Sequence, residues 1–242
     1  AIKTMKEQES PLKFRVVSPI KLEKLQKGQQ CLCEELIIHI HGGGWVSGSS
    51  YSNQIITRKW ANSLGRPIFG LDYGLAPTVQ YPLSLDDCWQ LYNWLIDNSE
   101  QFGVKPKKVI LIGDSAGANF VIGLTLLLIK SRGRIPDGLL LAYPALSLNM
   151  EKYSPSILRA LDDPVLSYSF IELLAKSYLG DLHRGATDPL VSPILINEAH
   201  LEYFPPIRMM TGTNDPLHDD IWRFMDRLIK ANVDVRTVVY KY

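Results

Sequence analysis

Cysteine is scarce in this 242-residue chain, which has three: Cys31, Cys33 and Cys88. They are too few and wrongly spaced for a disulfide framework or a zinc site, and the simplest inference is a reducing, cytoplasmic compartment. Charge of one sign is equally lacking. The 26 basic and 25 acidic residues leave a net charge of +1 with no long block of either sign, so nothing marks a nucleic-acid partner. Long apolar runs are missing too. The longest, Phe120 to Ile129, is about half of the roughly 20 residues that a transmembrane helix needs and reads as a buried helix. No internal repeat, low-complexity tract or secretory signal is visible. The chain opens on Ala1 rather than Met, and Tyr242 closes a strand-like run, so both ends are expected to lie inside a longer protein.

What is present is a large apolar content, 46%, enough for one full core, and 1–242 is expected to be a single α/β domain. The first thirty or so residues are polar, with a short strand expected at Phe14 to Val17 and a short helix at Lys21 to Lys27. Glu35 to Ile40 is a β-branched strand. A helix from Thr57 to Leu64 and a strand from Pro67 to Tyr73 follow. Ser84, with Asp87 three residues on, has the form of a capping box for a helix whose apolar face is Leu85, Cys88, Leu91, Tyr92 and Leu95. Strand Val109 to Ile112, helix Ala116 to Lys130, strand Gly138 to Tyr143, strand Ile207 to Thr211, helix Asp219 to Ala231 and strand Val235 to Tyr240 complete the rhythm. This alternation predicts a mostly parallel sheet with helices on both faces. Residues 147–206 break it. They hold helical pieces such as Val165 to Tyr178 but no convincing strand, and are expected to form a helical cap or insertion over the sheet's C-terminal edge, where ligands bind in such sheets.

Gly113-Asp114-Ser115-Ala116-Gly117 lies between a strand and a helix. A Gly-x-Ser-x-Gly alone says little, but in that setting it is a nucleophile elbow. The turn strains Ser115, the flanking glycines let neighbouring backbone approach closely, and the helix N-terminus directs N–H groups and partial positive charge to the same spot. Acyl transfer also needs donors for the oxyanion, an acid and a base. His41-Gly42-Gly43-Gly44 leaves a buried strand and can aim the Gly43 and Gly44 N–H groups at one atom, with the Ala116 N–H as third donor. For the acid, Asp215 follows strand Ile207 to Thr211 directly, whereas Asp219 and Asp220 suit a helix start. The base is the difficulty. His218 shares the turn of the proposed acid, His39 and His41 precede the elbow and His39 is expected to face the sheet's packing, and His183 and His200 lie in the insertion. Such a reaction needs no metal or organic cofactor. Trp45 and the apolar insertion are expected to bind an apolar acyl group.

The marks His41-Gly42-Gly43-Gly44-Trp45, Asp72-Tyr73-Gly74-Leu75-Ala76-Pro77, Gly113 to Asn119, Ser192-Pro193 and Asp215-Pro216-Leu217 together resemble the hormone-sensitive lipase family of α/β-hydrolases, from about Leu36 onward. The resemblance implies a serine carboxylester hydrolase, esterase or lipase, with Ser115 as nucleophile, Asp215 as triad acid and Gly43, Gly44 and Ala116 as oxyanion donors. It also implies a histidine in a His-Gly motif beyond Tyr242. Gly74, Thr78 and Ala118 depart from the family's usual residues, at positions of loop packing. Contact with a lipid surface and a place at lipid droplets are implied by the resemblance alone. Two alternatives stay open on the same residues: an amidase or peptidase, and a non-catalytic receptor or scaffold, since the family includes hormone-binding members whose triad histidine is replaced.

Overall fold

A computed structural model describes residues 2–4, 12–19 and 33–241. The helix expected at Lys21 to Lys27 lies outside the described residues. In chain order the elements are β1 (Ile2–Thr4), β2 (Lys13–Val17), β3 (Cys33–Ile40), α1 (Gln54–Leu64), β4 (Ile68–Asp72), α2 (Leu83–Asn98), β5 (Val104–Asp114), α3 (Ala116–Ser131), β6 (Gly138–Ala142), α4 (Pro155–Arg159), α5 (Tyr168–Leu179), α6 (His183–Thr187), α7 (Glu198–Leu201), β7 (Ile207–Gly212), α8 (His218–Lys230) and β8 (Val235–Tyr240). The strands form one eight-stranded sheet in the order β1-β2-β4-β3-β5-β6-β7-β8. β2 runs antiparallel to both of its neighbours, β1 and β4; β4 through β8 run parallel to β3.

Why these segments are strands is plain from β3. Leu36, Ile38 and Ile40 face one side and Ile37 and His39 the other, all buried, so the strand is covered on both faces and must carry an apolar run rather than an alternation. On the first face the sheet meets α2, α3 and α8, whose Leu91, Leu124 and Phe224 belong to one continuous core. On the second face Ala61 of α1 packs with Ile37, Ile68 and Ile112. Helices therefore cover both faces, as expected. Residues 147–206 hold α4 to α7 and, among the described residues, no strand. The insertion is tied to α3 just before its start and again within it: the Asn119 side-chain amide donates to Ala145 O and to Val191 O, each at 2.8 Å.

Three local readings need correction. The capping box at Ser84 and Asp87 does not form, because the chain already turns at Pro82 and Ser84 is the second helical residue. Its hydroxyl donates to Val79 O, and Asp87 accepts the Gly74 N–H instead. The helix expected from Val165 begins at Tyr168, since Asp163 takes the Val165 and Leu166 N–H groups and Ser167 caps the helix. The strand expected at Val109 to Ile112 is longer at both ends, Val104–Asp114. No helix among the described residues is long and apolar enough to cross a membrane.

Candidate active site

Register brings two loops together. β3 and β5 are parallel neighbours with Ile40 opposite Gly113, so the chain leaves both strands at one height. From β3 it passes outward to β4 and then returns to β5 on the other side. A reversal of this kind opens the crevice in which parallel sheets bind ligands.

At the end of β5, Ser115 has φ 52° and ψ −118°, a conformation that costs a residue with a side chain on the order of 1–3 kcal/mol. The surroundings hold it there. The Ser115 N–H donates to Ala142 O at 2.9 Å, and its carbonyl accepts from Asn119 N at 3.1 Å. The motif glycines are required by close approach: a Cβ on Gly117 would stand 2.1 Å from Ile40 O, and one on Gly113 would stand 2.6 Å from Gly117 O. Half-buried at the N-terminus of α3, the Ser115 side chain lies where unpartnered N–H groups and the helix dipole favour negative charge.

At the end of β3, Gly43 and Gly44 take φ of 120° and 60°, and Gly43 O accepts the Val46 and Ser47 N–H groups at 3.2 and 3.0 Å. Asp114 ties this loop to the elbow. One carboxylate oxygen accepts the Gly42 N–H at 3.1 Å and the other accepts His39 Nε2–H at 3.1 Å. Among the described residues no hydrogen bond within the chain takes the Gly43 or Gly44 N–H, so both remain to serve an oxyanion. Behind the loop His41 is buried, stacks on Tyr73 at 4.3 Å between ring centroids and donates from Nδ1 to Gly42 O. Burial holds its pKa below the ordinary value, against the pull of the Gly42 carbonyl. Neutral His41 is thus a brace for the loop.

Asp215 stands on the turn leaving β7, half-buried. Its Oδ1 accepts the Leu217 N–H at 2.8 Å. Burial pushes its carboxyl above the ordinary value, which the Leu217 N–H and the nearby His218 oppose. It lines a cavity of about 520 Å³ together with Tyr143, Asp163, Gly212, Asn214 and Tyr240. None of the five imidazoles of the chain is hydrogen-bonded to the Ser115 hydroxyl or the Asp215 carboxylate. His218 is spoken for: its Nε2 accepts the Trp222 indole N–H at 2.8 Å, and its Nδ1 is buried.

Trp45 does not lie where the sequence suggested. A left-handed backbone at φ 64° turns its indole inward, where it stacks on Tyr178 of α5 at 5.0 Å and is 5% exposed. It joins the insertion to the glycine loop and presents no open surface to a substrate. Conversely, Asp114, His39 and Tyr73 were not singled out for the site. The signal for Asp114 was its place beside Ser115, and for His39 its place on the strand paired with β5.

The chain belongs to the α/β-hydrolase fold family, whose profile matches residues 37–242. Within it, hormone-sensitive lipase of Mus musculus is 39% identical over 145 residues, 60% of this chain and 19% of that protein. An esterase of Acinetobacter venetianus is 32% identical over 228 residues, 93% of this chain and 72% of that protein. Among solved structures, carboxyl esterase 2 from Tuber melanosporum superposes with a TM-score of 0.89 at 25% identity, covering 100% of this chain and 76% of that one. The chain thus spans about a fifth of the length of the mouse lipase.

Proposed function

We propose that these residues are the core of a serine carboxylester hydrolase acting on esters with an apolar acyl group. The observation that carries the reading is the pairing of a strained Ser115 with a glycine loop whose Gly43 and Gly44 N–H groups are unclaimed and whose position Asp114 holds. Ser115 Oγ attacks the ester carbonyl as its proton passes to a base. The oxyanion is held by the Gly43, Gly44 and Ala116 N–H groups. The base returns the proton to the leaving alcohol, and water then hydrolyses the acyl-enzyme by the same route. Asp215 serves as the acid that orients the base. No described histidine is placed for that role, and the cavity beside Asp215 has room for an imidazole supplied from elsewhere in the whole protein. The relatives named esterase and hormone-sensitive lipase support the reaction class.

Residues 147–206 act as the cap. Leu174 of α5 lies so close to Gly44 that an added Cβ there would stand 2.6 Å from its Cδ1. Val165 at 81% exposure, with Leu173 and Phe170 also exposed, gives this cap an apolar outer surface suited to contact with lipid. With its few cysteines, the protein is placed in the cytoplasm, at lipid droplets when it meets a lipid substrate.

The test is active-site labelling of the whole protein with a fluorophosphonate. Labelling is expected on Ser115 and is lost in Ser115→Ala; labelling that survives this change ends the assignment. Turnover of p-nitrophenyl esters without turnover of matching amides separates an esterase from an amidase. Neither labelling nor turnover would leave a binding protein on this fold.

A further inference from the structure

We propose that Ser156, on the insertion, is a positioning residue for Asp215, so that the cap holds the acid of the site in place; this rests on Asp215 being the triad acid. The acid turn is internally bonded, with Asp215 N–H donating to Gly212 O, Leu217 N–H to Asp215 Oδ1 and His218 N–H to Asp215 O. Those bonds set its shape. What anchors it from outside is α4. The Ser156 hydroxyl donates to Pro216 O at 2.7 Å, and the Ser156 N–H donates to Asp219 Oδ2 at 2.8 Å. The Asp219 N–H returns a bond to Ser156 Oγ at 3.3 Å, and Arg159 donates to Thr213 O at 3.1 Å.

The hydroxyl is fully used. It gives its proton to the Pro216 carbonyl, next to Asp215 in the chain, and so must accept from the other hydroxyl, Ser154, at 3.0 Å. Ser154 Oγ in turn accepts the Ile157 N–H at the start of α4. Both serines are 2% exposed. A saturated buried network of this kind has one low-energy arrangement, because any shift leaves a donor or acceptor unpaired. Its consequence here is a fixed height and tilt for Asp215. Misplacement of a catalytic group by about 1 Å can cost on the order of 10²-fold in rate. An apolar residue at position 156 would strand the Pro216 carbonyl and the Asp219 N–H, and the turn would move to find partners.

The test compares Ser156→Ala, Ser156→Thr and Asp215→Asn in the whole protein, with kcat and KM for a soluble ester and a thermal melt for each. Ser156→Ala is expected to lower kcat by roughly 10-fold or more, leave KM within about twofold and keep a cooperative melt. Ser156→Thr, which keeps the hydroxyl, recovers most of the loss. Should Ser156→Ala fail to fold, Asp219→Ala decides, with a kcat loss in the same direction. Unchanged kcat in the variant that folds, or no recovery by threonine, overturns the proposal. If Asp215→Asn retains full activity, the assignment of the acid falls and the proposal falls with it; if Asp215→Asn is inactive while Ser156→Ala is fully active, the proposal alone falls.

Discussion

The two halves of the site are built differently. The nucleophile half sits at the ends of β3 and β5, in the middle of the sheet, and its parts are held by residues within or next to the motifs themselves: Asp114 bonds Gly42 and His39, and Gly117 packs on Ile40. The acid half sits at the end of β7, nearer the sheet edge, beside an open cavity, and is anchored by an insertion helix 60 residues away in sequence. A half assembled from neighbouring strands is complete as soon as the sheet forms. A half assembled across the insertion depends on the cap being docked, and it still lacks a base among the described histidines.

Substitutions in the two halves should therefore fail in different ways. The largest effect after Ser115 itself is expected for Asp215→Asn: in the whole protein kcat falls roughly 10⁴-fold while the melt stays cooperative, as for loss of the acid in a comparable triad. Next is Asp114→Ala, which frees the Gly42 N–H and His39. The glycine loop loses its tether to the elbow, and kcat/KM for a soluble ester is expected to fall about 10²-fold, near the cost of one oxyanion donor. Equal activity of Asp114→Ala and the parent would show that the loop holds its shape alone.

The same contrast explains what could be read from residues alone. β3 from Leu36 on and β4 are apolar runs because they are buried on both faces, and the elbow and glycine loop are contiguous words whose chemistry follows from their strand and helix context. The start of α2 was misread because Pro82 turns the chain before Ser84 can cap it. Trp45 was misread because an indole beside a glycine loop is as suited to a pocket wall as to a core, and only the tertiary stack on Tyr178 decides. Ser156 carried no signal for a place beside the acid turn. Its partners Pro216 and Asp219 are 60 and 63 residues away, and no local period or propensity encodes such a pairing.

Between the halves lies Asn119, which ties the residue before the insertion's entry and a point within the insertion to α3. Asn119→Ala leaves the Ala145 and Val191 carbonyls buried without the amide, at a cost of roughly 2–4 kcal/mol. For a chain of this size the melting temperature should drop on the order of 10 °C. If the halves differ as described, this loosening also lowers kcat, through the acid turn, while fluorophosphonate still labels Ser115.

The smallest effect is a sign. Burial raises the Asp215 carboxyl above its ordinary value of 3.8, so residues 1–242 on their own bind that proton more tightly folded than unfolded. Below about pH 3 both states hold it and nothing is lost. As pH rises through the ordinary and then the raised value, ionisation in the folded state becomes the costlier of the two, and stability declines. Asp215→Asn, which never ionises, should then be the more stable form near neutrality, and the difference should vanish on acidification; denaturant midpoints at about pH 7 and about pH 3 measure it. In the whole protein an imidazole docked against Asp215 would reverse the sign, because a paired carboxylate is favoured in its charged form. Asp215→Asn would then be the less stable form near neutrality. A sign that is the same in both proteins would mean that no cationic group reaches the cavity and that the acid half stays open.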